Sequence, residues 1–452
     1  MLNIGLRRCR RNVLEQVKAV QPISSGLNSP AKRKFSLTAP KSTANRPSRL
    51  AGRSEEPLEI PANEGYGYYA ARVGEHLGDG RYNIVRKLGW GRDSNVWLAR
   101  DLVEKRYVAL KILSAHATKT HHISLELELK LLHRLKNTNP AHPGYKHILS
   151  ILDHFSITGK EAGEDVSHLC LVSEVLGEGV GSIRRRSEGL MLPQGMVKTI
   201  LRQVLQALDY VHRECRIVHT DIKPDNMLTI PQDLDSFVEH SLTTEPPSSR
   251  PVIDSLGRKI QQHTSQPLKY SPSSPSSSIQ IKLIDFGHSC PSEPHSTHTV
   301  QPLELRAPEV ILGLPWSTPV DIWSLGCCTF ELLTGAWLFN PQAEKGWTTE
   351  DDALAKMIEY TGESFPDEMT GEDGRSTGRT KQYFERDIFL GRLRRITEFD
   401  SLPVEEILQK YIPIKGQELY ECGSFLREML HLRPADRSDA STLLRHKWLE
   451  DY

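Results

Sequence analysis

The stretch His219-Thr220-Asp221-Ile222-Lys223-Pro224-Asp225-Asn226 constrains this chain more than any other. It puts an acid, a cation and a carboxamide within eight residues, between the apolar pairs Ile217-Val218 and Met227-Leu228. Moving a phosphoryl group asks a protein mainly for positioning and neutralisation: a carboxylate to orient the attacking hydroxyl, a cation on the transferring phosphate, and an oxygen donor for magnesium. Asp221, Lys223 and Asn226 suit those roles in that order. An isolated His-x-Asp reads better as a polar turn between strands; the full pattern and the partners that recur along the chain argue against that reading.

At 452 residues the chain exceeds one ordinary domain, so two lobes with additional segments are expected. Lys plus Arg equals Asp plus Glu at 57 each, which gives no global field for direct nucleic-acid or membrane binding. Seven cysteines, an odd number without a Cys-x-x-Cys spacing and with Cys327-Cys328 adjacent, suit neither a disulfide framework nor a zinc site. They read as buried thiols in a reducing compartment. No apolar run approaches the ~20 residues of a membrane span.

Residues 1–54 hold twelve Lys or Arg and one acid, Glu15. That composition builds no packed core, so residues 1–66 are expected to be a disordered tail or a targeting segment. Leu2, Leu6, Cys9, Val13 and Val17 share a helical face, and Arg33-Lys34-Phe35-Ser36 resembles a presequence cleavage site, so a mitochondrial transit peptide stands beside the ordinary basic tail. Cytoplasm and nucleus are the expected location, with the mitochondrion as the alternative.

From Arg81 short β-like runs follow, Tyr82–Val85, Val96–Ala99 and Tyr107–Leu113, then a helix over Ile123–Leu135 and a strand pair that ends in Leu169–Val175. Residues 67–176 thus read as a small antiparallel sheet with one main helix. Beyond Gly177–Gly181 the pattern turns helical, with Met196, Ile200, Val204, Leu208 and Val211 on a long helix that leads into the opening loop. Residues 177–452 read as a second, mainly α lobe, interrupted at about 231–279 by a Ser/Pro-rich low-complexity insertion.

Leu88-Gly89-Trp90-Gly91-Arg92-Asp93-Ser94-Asn95-Val96 joins two of the strands, and its glycines let backbone amides approach a phosphate. A strand rather than a helix follows, which argues against a dinucleotide-binding turn. Lys111 closes Val108-Ala109-Leu110-Lys111, where a lysine can pair α and β phosphates; its counter-charge is Glu126 or Glu128, and Glu128 fits better. Asp285-Phe286-Gly287, after the strand Ile281–Ile284, adds a second magnesium carboxylate. Ala307-Pro308-Glu309, Asp321–Gly326 and Arg437 follow in the order and spacing of a protein kinase. Glu309 with Arg437 is expected as a buried ion pair, and Asp321 as a brace for the catalytic-loop backbone.

From about Arg81 to Trp448 the chain resembles a eukaryotic protein kinase, and within that superfamily it is similar to the SR-protein kinases, particularly their fungal branch. The resemblance is carried by Leu88-Gly89-Trp90-Gly91 with Ser94 at the third glycine position, Val96-Trp97-Leu98-Ala99 and Glu174-Val175-Leu176-Gly177. His219-Thr220-Asp221-Ile222-Lys223-Pro224, Leu305–Gly313 and the spacer before Asp-Phe-Gly complete it, and Thr220 in place of the usual Arg is the most telling. The resemblance implies an α+β bilobal kinase fold and ATP-dependent phosphorylation of serines in Arg/Ser-rich proteins. It implies ATP and Mg2+ as cofactors, protein substrates as partners, a role in mRNA splicing regulation and a monomer.

By the same resemblance, ATP is bound by Leu88, Gly89, Trp90, Gly91, Ser94, Val96, Ala109, Lys111, Glu128, Glu174, Leu176 and Leu228. Asp221 and Lys223 are the catalytic residues, and Asn226 and Asp285 the metal ligands. Glu350, Asp351, Asp352 and Glu359 match an acidic docking helix, although acids also gather at helix N-termini for dipole reasons alone. Gln301-Pro302-Leu303-Glu304-Leu305-Arg306 departs from the family, which carries several arginines around a tyrosine there.

Two further expectations concern control. Ser173, a small residue before the hinge, leaves the space behind the adenine open. Thr220 lacks the charge that pairs with an activation-segment phosphate in other kinases, so Ser289, Ser292, Ser296, Thr297 and Thr299 are acceptors without the usual partner. A pseudokinase scaffold is opposed by the presence of Lys111, Asp221, Asn226 and Asp285, and a kinase of the dual-specificity or cyclin-dependent groups by Thr220.

Overall fold

Three consecutive runs, the second and third buried on both faces, build the sheet that the sequence predicts. The computed structural model describes residues 53–120, 122–161, 164–270, 279–295, 299–371, 379–385 and 392–450; the expectations for residues 1–52 and for the serine run at 271–278 lie outside them. Strands β1 (His76–Leu77), β2 (Tyr82–Trp90), β3 (Ser94–Asp101), β4 (Arg106–Leu113), β5 (Ile151–Glu161) and β6 (Glu164–Ser173) form one antiparallel sheet in the order β1-β2-β3-β4-β6-β5. β2 slips register against β3 between Lys87 and Gly89, at the start of the glycine-rich turn. Helix α1 (Ala115–Thr120) leads into α2 (His122–Asn137), which buries Leu125, Leu131, Leu132 and Leu135.

The second lobe is helical. α3 (Val180–Arg186) follows the hinge, and α4 (Gln194–Asp209) buries Val197, Ile200, Leu201, Val204, Leu205 and Leu208. α4 widens into a π-turn at Tyr210–Glu214, where the Tyr210 hydroxyl donates to the Leu135 carbonyl at 2.7 Å and so pins the helix end against α2. The catalytic stretch leaves from that pinned end, between β7 (Ile217–Val218) and β8 (Met227–Thr229).

The insertion differs from its low-complexity reading. It contains helix α5 (Leu234–Thr244) and a hairpin of β9 (Ser249–Ile253) and β10 (Lys259–His263) before the chain returns to β11 (Ile281–Leu283), which pairs with β8. Leu234, Phe237, Val238 and Leu242 of α5 pack with Val85, Leu88, Leu98, Tyr107 and Val175, so part of the insertion covers the sheet and the hinge. Arg86 of β2 donates to Ser241 Oγ at 2.7 Å and to the Ser241 carbonyl at 2.8 Å.

The N-terminal boundary also moves. Leu58 and Ile60 are buried, and both Glu55 and Glu56 contact the fully buried Lys87 ammonium. Ser265 of the insertion donates through N–H and hydroxyl to the Glu55 carboxylate at 2.6 and 2.8 Å. Residues 53–66, assigned from composition to the tail, therefore belong to the packed lobe; burying two carboxylates on one cation requires such additional donors.

β12 (Cys290–Pro291), α6 (Pro308–Leu312) and α7 (Pro319–Thr334), buried from Val320 onward, follow. α8 (Thr349–Thr361), α9 (Val404–Tyr411) and α10 (Gly416–Met429) come next, and the short helices Ala440–Leu443 and Lys447–Glu450 close the lobe with Trp448 and Leu449 buried. Glu309 and Arg437 form the expected buried pair, bidentate at 2.6 and 2.8 Å. No helix among the described residues is long and apolar enough to cross a membrane.

Candidate active site

The two lobes meet at the hinge after β6, and the cleft between them collects the predicted residues from both sides. Val96 lies opposite Lys111 and Leu98 opposite Ala109 in the β3–β4 ladder, which puts Val96, Ala109 and Lys111 on adjacent strands. Gly89 pairs with Val96 and Trp90 with Asn95, leaving Gly91-Arg92-Asp93 as the turn, closed by Gly91 N–H to the Ser94 carbonyl at 2.8 Å. Neither Gly89 nor Gly91 has a positive φ, and a Cβ at either would meet no protein atom within 4 Å. Their value is the space they leave above the turn, which suits the close approach of a phosphate.

Lys111 Nζ lies 3.0 Å from Asp285 Oδ1 and 3.7 Å from Glu128 Oε1. Burial alone would pull the ammonium below its ordinary value, but Asp285 and Glu128 outweigh it and hold the charge on. Asp285 is in turn held well below the usual carboxylate range, chiefly by Lys111. Glu126, the alternative partner, is exposed and lies 4.0 Å from Lys130 instead. Asp285 sits in the left-handed region at φ 67°, and Thr220 at φ 69°, conformations costly for non-glycine residues that persist where surroundings over-determine them.

Those surroundings are visible at Asp321. Its carboxylate accepts from the His219 N–H at 2.7 Å, the Thr220 N–H at 2.8 Å and His212 Nε2 at 2.8 Å, the brace expected from sequence. His219 Nε2 meets the Ile284 carbonyl at 2.9 Å and its ring lies edge-on to Phe286, tying the loop to the Asp285 strand. Within the loop, Lys223 Nζ is 2.5 Å from Asp221 Oδ2, and Asn226 Nδ2 donates to the Asp221 carbonyl at 2.9 Å and to Oδ2 at 2.8 Å. With its amide nitrogen fixed on Asp221, Asn226 keeps its carbonyl oxygen for another partner. Asn226 and Asp285 together offer hard oxygen donors of the kind Mg2+ takes alongside phosphate oxygens and water; the described residues contain no cluster of three or more His, Cys, Asp or Glu around a metal-sized site.

At the hinge, the Glu174 carboxylate accepts from the Ser150 N–H and from Lys282 Nζ, both at 2.7 Å. It is a bracket between lobes, and the nucleotide contact predicted for Glu174 is left to its backbone. Leu176 is 7% exposed, and neither its N–H nor its carbonyl has a protein partner among the described residues. Buried backbone groups are nearly always paired, so this donor–acceptor edge suits the edge of a purine. Leu88 and Leu228 are half-buried, and Trp90 donates through Nε1 to the Ser54 carbonyl at 3.2 Å.

Three of the four acids expected to line a docking groove turn inward. Asp351, Asp352 and Glu359 are 1%, 3% and 6% exposed and engaged inside the protein. Asp351 completes a capping box with Thr348 at the start of α8 and pairs with Arg395 at 2.7 Å. Asp352 accepts from Lys356 at 2.7 Å and from the Gln342 N–H at 2.8 Å, and Glu359 accepts from the Asp400 N–H at 3.3 Å. Asp351 and Asp352 sit in the first turn of α8, where a helix N-terminus favours acids, while Glu359 lies in its last turn. Glu350, half-buried, is the one of the four that the helix leaves toward the cleft-side Arg306.

Sequence reasoning did not find Tyr68. Its hydroxyl lies 2.7 Å from the Gly91 carbonyl and 2.6 Å from that of Arg92, so the segment before β1 touches the glycine-rich turn directly. Nothing in a Tyr-Gly-Tyr-Tyr run signals that contact.

A lysine and two carboxylates across a hinged cleft, a braced His-Thr-Asp loop and a glycine-rich turn define a protein kinase. The protein kinase domain family matches residues 82–239 and 270–449. Protein kinase dsk1 of Schizosaccharomyces pombe is 31% identical over 467 residues, covering 85% of this chain and 83% of that protein. The serine/threonine-protein kinase SRPK of Physarum polycephalum is 32% identical over 406 residues, covering 85% and 89%. SRSF protein kinase 3 of Mus musculus is 28% identical over 536 residues, covering 88% and 92%. A solved kinase domain superposes with a TM-score of 0.61 at 25% identity, covering 85% of this chain and 99% of its own. The chain belongs to the SRPK-type serine/threonine protein kinases.

Proposed function

We propose that the chain transfers the γ-phosphate of ATP to serines in Arg/Ser-rich or otherwise basic proteins, and through them bears on mRNA splicing. The observation that carries this reading is likeness across most of the chain to proteins named SRSF protein kinase and SRPK. In this reading the unpaired edge of Leu176 receives the adenine, and Gly89 and Gly91 admit the phosphates. Lys111, kept charged by Asp285 and Glu128, neutralises them. Asn226 and Asp285 would hold Mg2+, which would supply further charge neutralisation on the phosphates.

Asp221 orients the attacking serine. Its Oδ2 is occupied by Lys223 and Asn226, so Oδ1 is the atom that accepts the hydroxyl hydrogen, and Lys223 lies close enough to meet the transferring phosphate. A degenerate peptide array tests the specificity: serine peptides flanked by arginine should exceed serine-proline peptides at least tenfold in kcat/KM. Equal use of both sets would overturn the Arg/Ser reading while leaving kinase activity intact.

A further inference from the structure

Phosphate on an activation segment is normally read by the arginine beside the catalytic aspartate, and Thr220 removes that reader. Among the described hydroxyls of the segment, Ser289 is buried with its Oγ on the His219 carbonyl at 3.2 Å, and Ser292 is tied through its N–H to the Arg216 carbonyl and through its own carbonyl to Ser317. Thr299 is different. It is exposed, and its Oγ1 already accepts from Arg379 Nη2 at 3.1 Å, a contact from a residue 80 positions along the chain.

Arg379 is placed for this. Its stem covers Gly313, where a Cβ would meet Arg379 Cδ at 2.8 Å, and Nη1 lies 3.4 Å from the Val310 carbonyl. Arg306 stands beside it, spending Nε and Nη2 on the carbonyls of Val300 and Gln301 and leaving Nη1 without a hydrogen-bond partner among the described residues. No described carboxylate lies within ion-pair distance of either guanidinium; Glu304 and Glu350 attract Arg306 from further away. One guanidinium, that of Arg379, meets the exposed Thr299 hydroxyl, a second is engaged on the neighbouring Val300 and Gln301 carbonyls, and no described carboxylate pairs either.

We propose that Thr299 is a phosphate-acceptor site whose phosphate is held by Arg379 with Arg306 behind it. A protein kinase acting in trans supplies the step: the Thr299 Oγ1–phosphorus bond forms, the bond from the γ-phosphorus to ADP breaks, and the hydroxyl proton passes to that enzyme's base. The new group carries about −1.5 to −2 charge and three acceptor oxygens, which a guanidinium fork engages better than it engages a hydroxyl. The phosphate would fasten residues 379–385 onto the activation segment, a tightening of the substrate-side surface separate from the chemistry in the cleft.

The test uses the full chain with phosphothreonine installed at position 299 by genetic-code expansion, compared with the unmodified chain by amide hydrogen exchange over 379–385. Exchange should slow at least tenfold, and the slowing should fall below threefold in Arg379→Met, which keeps the stem over Gly313 and removes the charge. Unchanged exchange in the phosphorylated chain, or equal slowing with Arg379→Met, would overturn the assignment. Phosphopeptide mapping of the protein from its own cells should find phosphate on Thr299; a peptide wholly unmodified across growth conditions contradicts it.

Discussion

Thr220 Oγ1 donates to the carbonyl of His288 at 2.9 Å, so the catalytic loop holds the start of the activation segment through a neutral hydrogen bond. The pairing of β12 with β7 continues the grip, and Gln301 hooks the far end by donating to the Val320 carbonyl and Ser324 Oγ, both at 2.8 Å. None of these contacts needs a phosphate. Protein made in bacteria and treated with phosphatase should match untreated protein in kcat within about twofold; a tenfold loss, about 1.4 kcal/mol in barrier, would contradict constitutive ordering. The phosphate proposed at Thr299 tightens a peripheral segment and leaves this turnover unchanged.

Ser173 sits buried before the hinge with its hydroxyl 3.2 Å from the Glu174 carbonyl, a small side chain at the entrance to the space behind the nucleotide. ATP-competitive inhibitors with a bulky aromatic extension should therefore bind the natural chain. Ser173→Phe should weaken them at least tenfold while changing the KM for ATP little. Equal inhibition of both forms would refute the open pocket.

The Lys87 ammonium is the hub that joins β2 to Glu55, Glu56 and, at 3.2 Å, the His263 carbonyl of the insertion. Removing one partner of a buried ion cluster strands the others, at a cost of about 3–5 kcal/mol. Lys87→Met should lower the denaturant midpoint accordingly. Destabilisation under about 1 kcal/mol would mean that residues 53–66 are not fastened as described.

Burial pushes the imidazoles of His147, His168 and His263 below their ordinary value, with the Lys87 charge adding to the effect at His263. A folded-state pKa below the unfolded one means that the folded chain binds fewer protons, so this stabilisation is whole above about pH 6.5 and is lost as pH falls. Melting temperature should drop between pH 7 and pH 5. His168 Nδ1 bonds the Leu113 carbonyl at 2.9 Å, and His168→Gln, which can keep a donor there, should shrink the slope. An unchanged slope in the variant would contradict a neutral His168.

Legibility followed the distance over which residues act. Lys111, Asp221, Asn226 and Asp285 stand in short patterns whose chemistry is local, and the structure brings them into one cleft. Glu309–Arg437 and Asp321 were legible because their spacing is part of the same pattern. The insertion was hidden by its serines and prolines, which mask Leu234, Phe237, Val238 and Leu242 at helical spacing. Glu55 and Glu56 could not be linked to Lys87 because a buried triad across more than 30 residues leaves no periodic trace. On α8 the sequence is ambiguous because one chemistry serves two ends: acids at a helix start, such as Asp351 and Asp352, cap and pair internally as readily as they recruit a basic peptide.

The most direct test is phosphoryl transfer from ATP to an arginine/serine peptide by Asp221→Asn and Lys111→Met, each compared with the natural chain in turnover and in melting profile. Both variants should lose at least a thousandfold in kcat/KM, about 4 kcal/mol of transition-state stabilisation, while remaining folded. Near-natural turnover in either variant, with an unchanged melting profile, would contradict the role assigned to that residue and with it this account of the site.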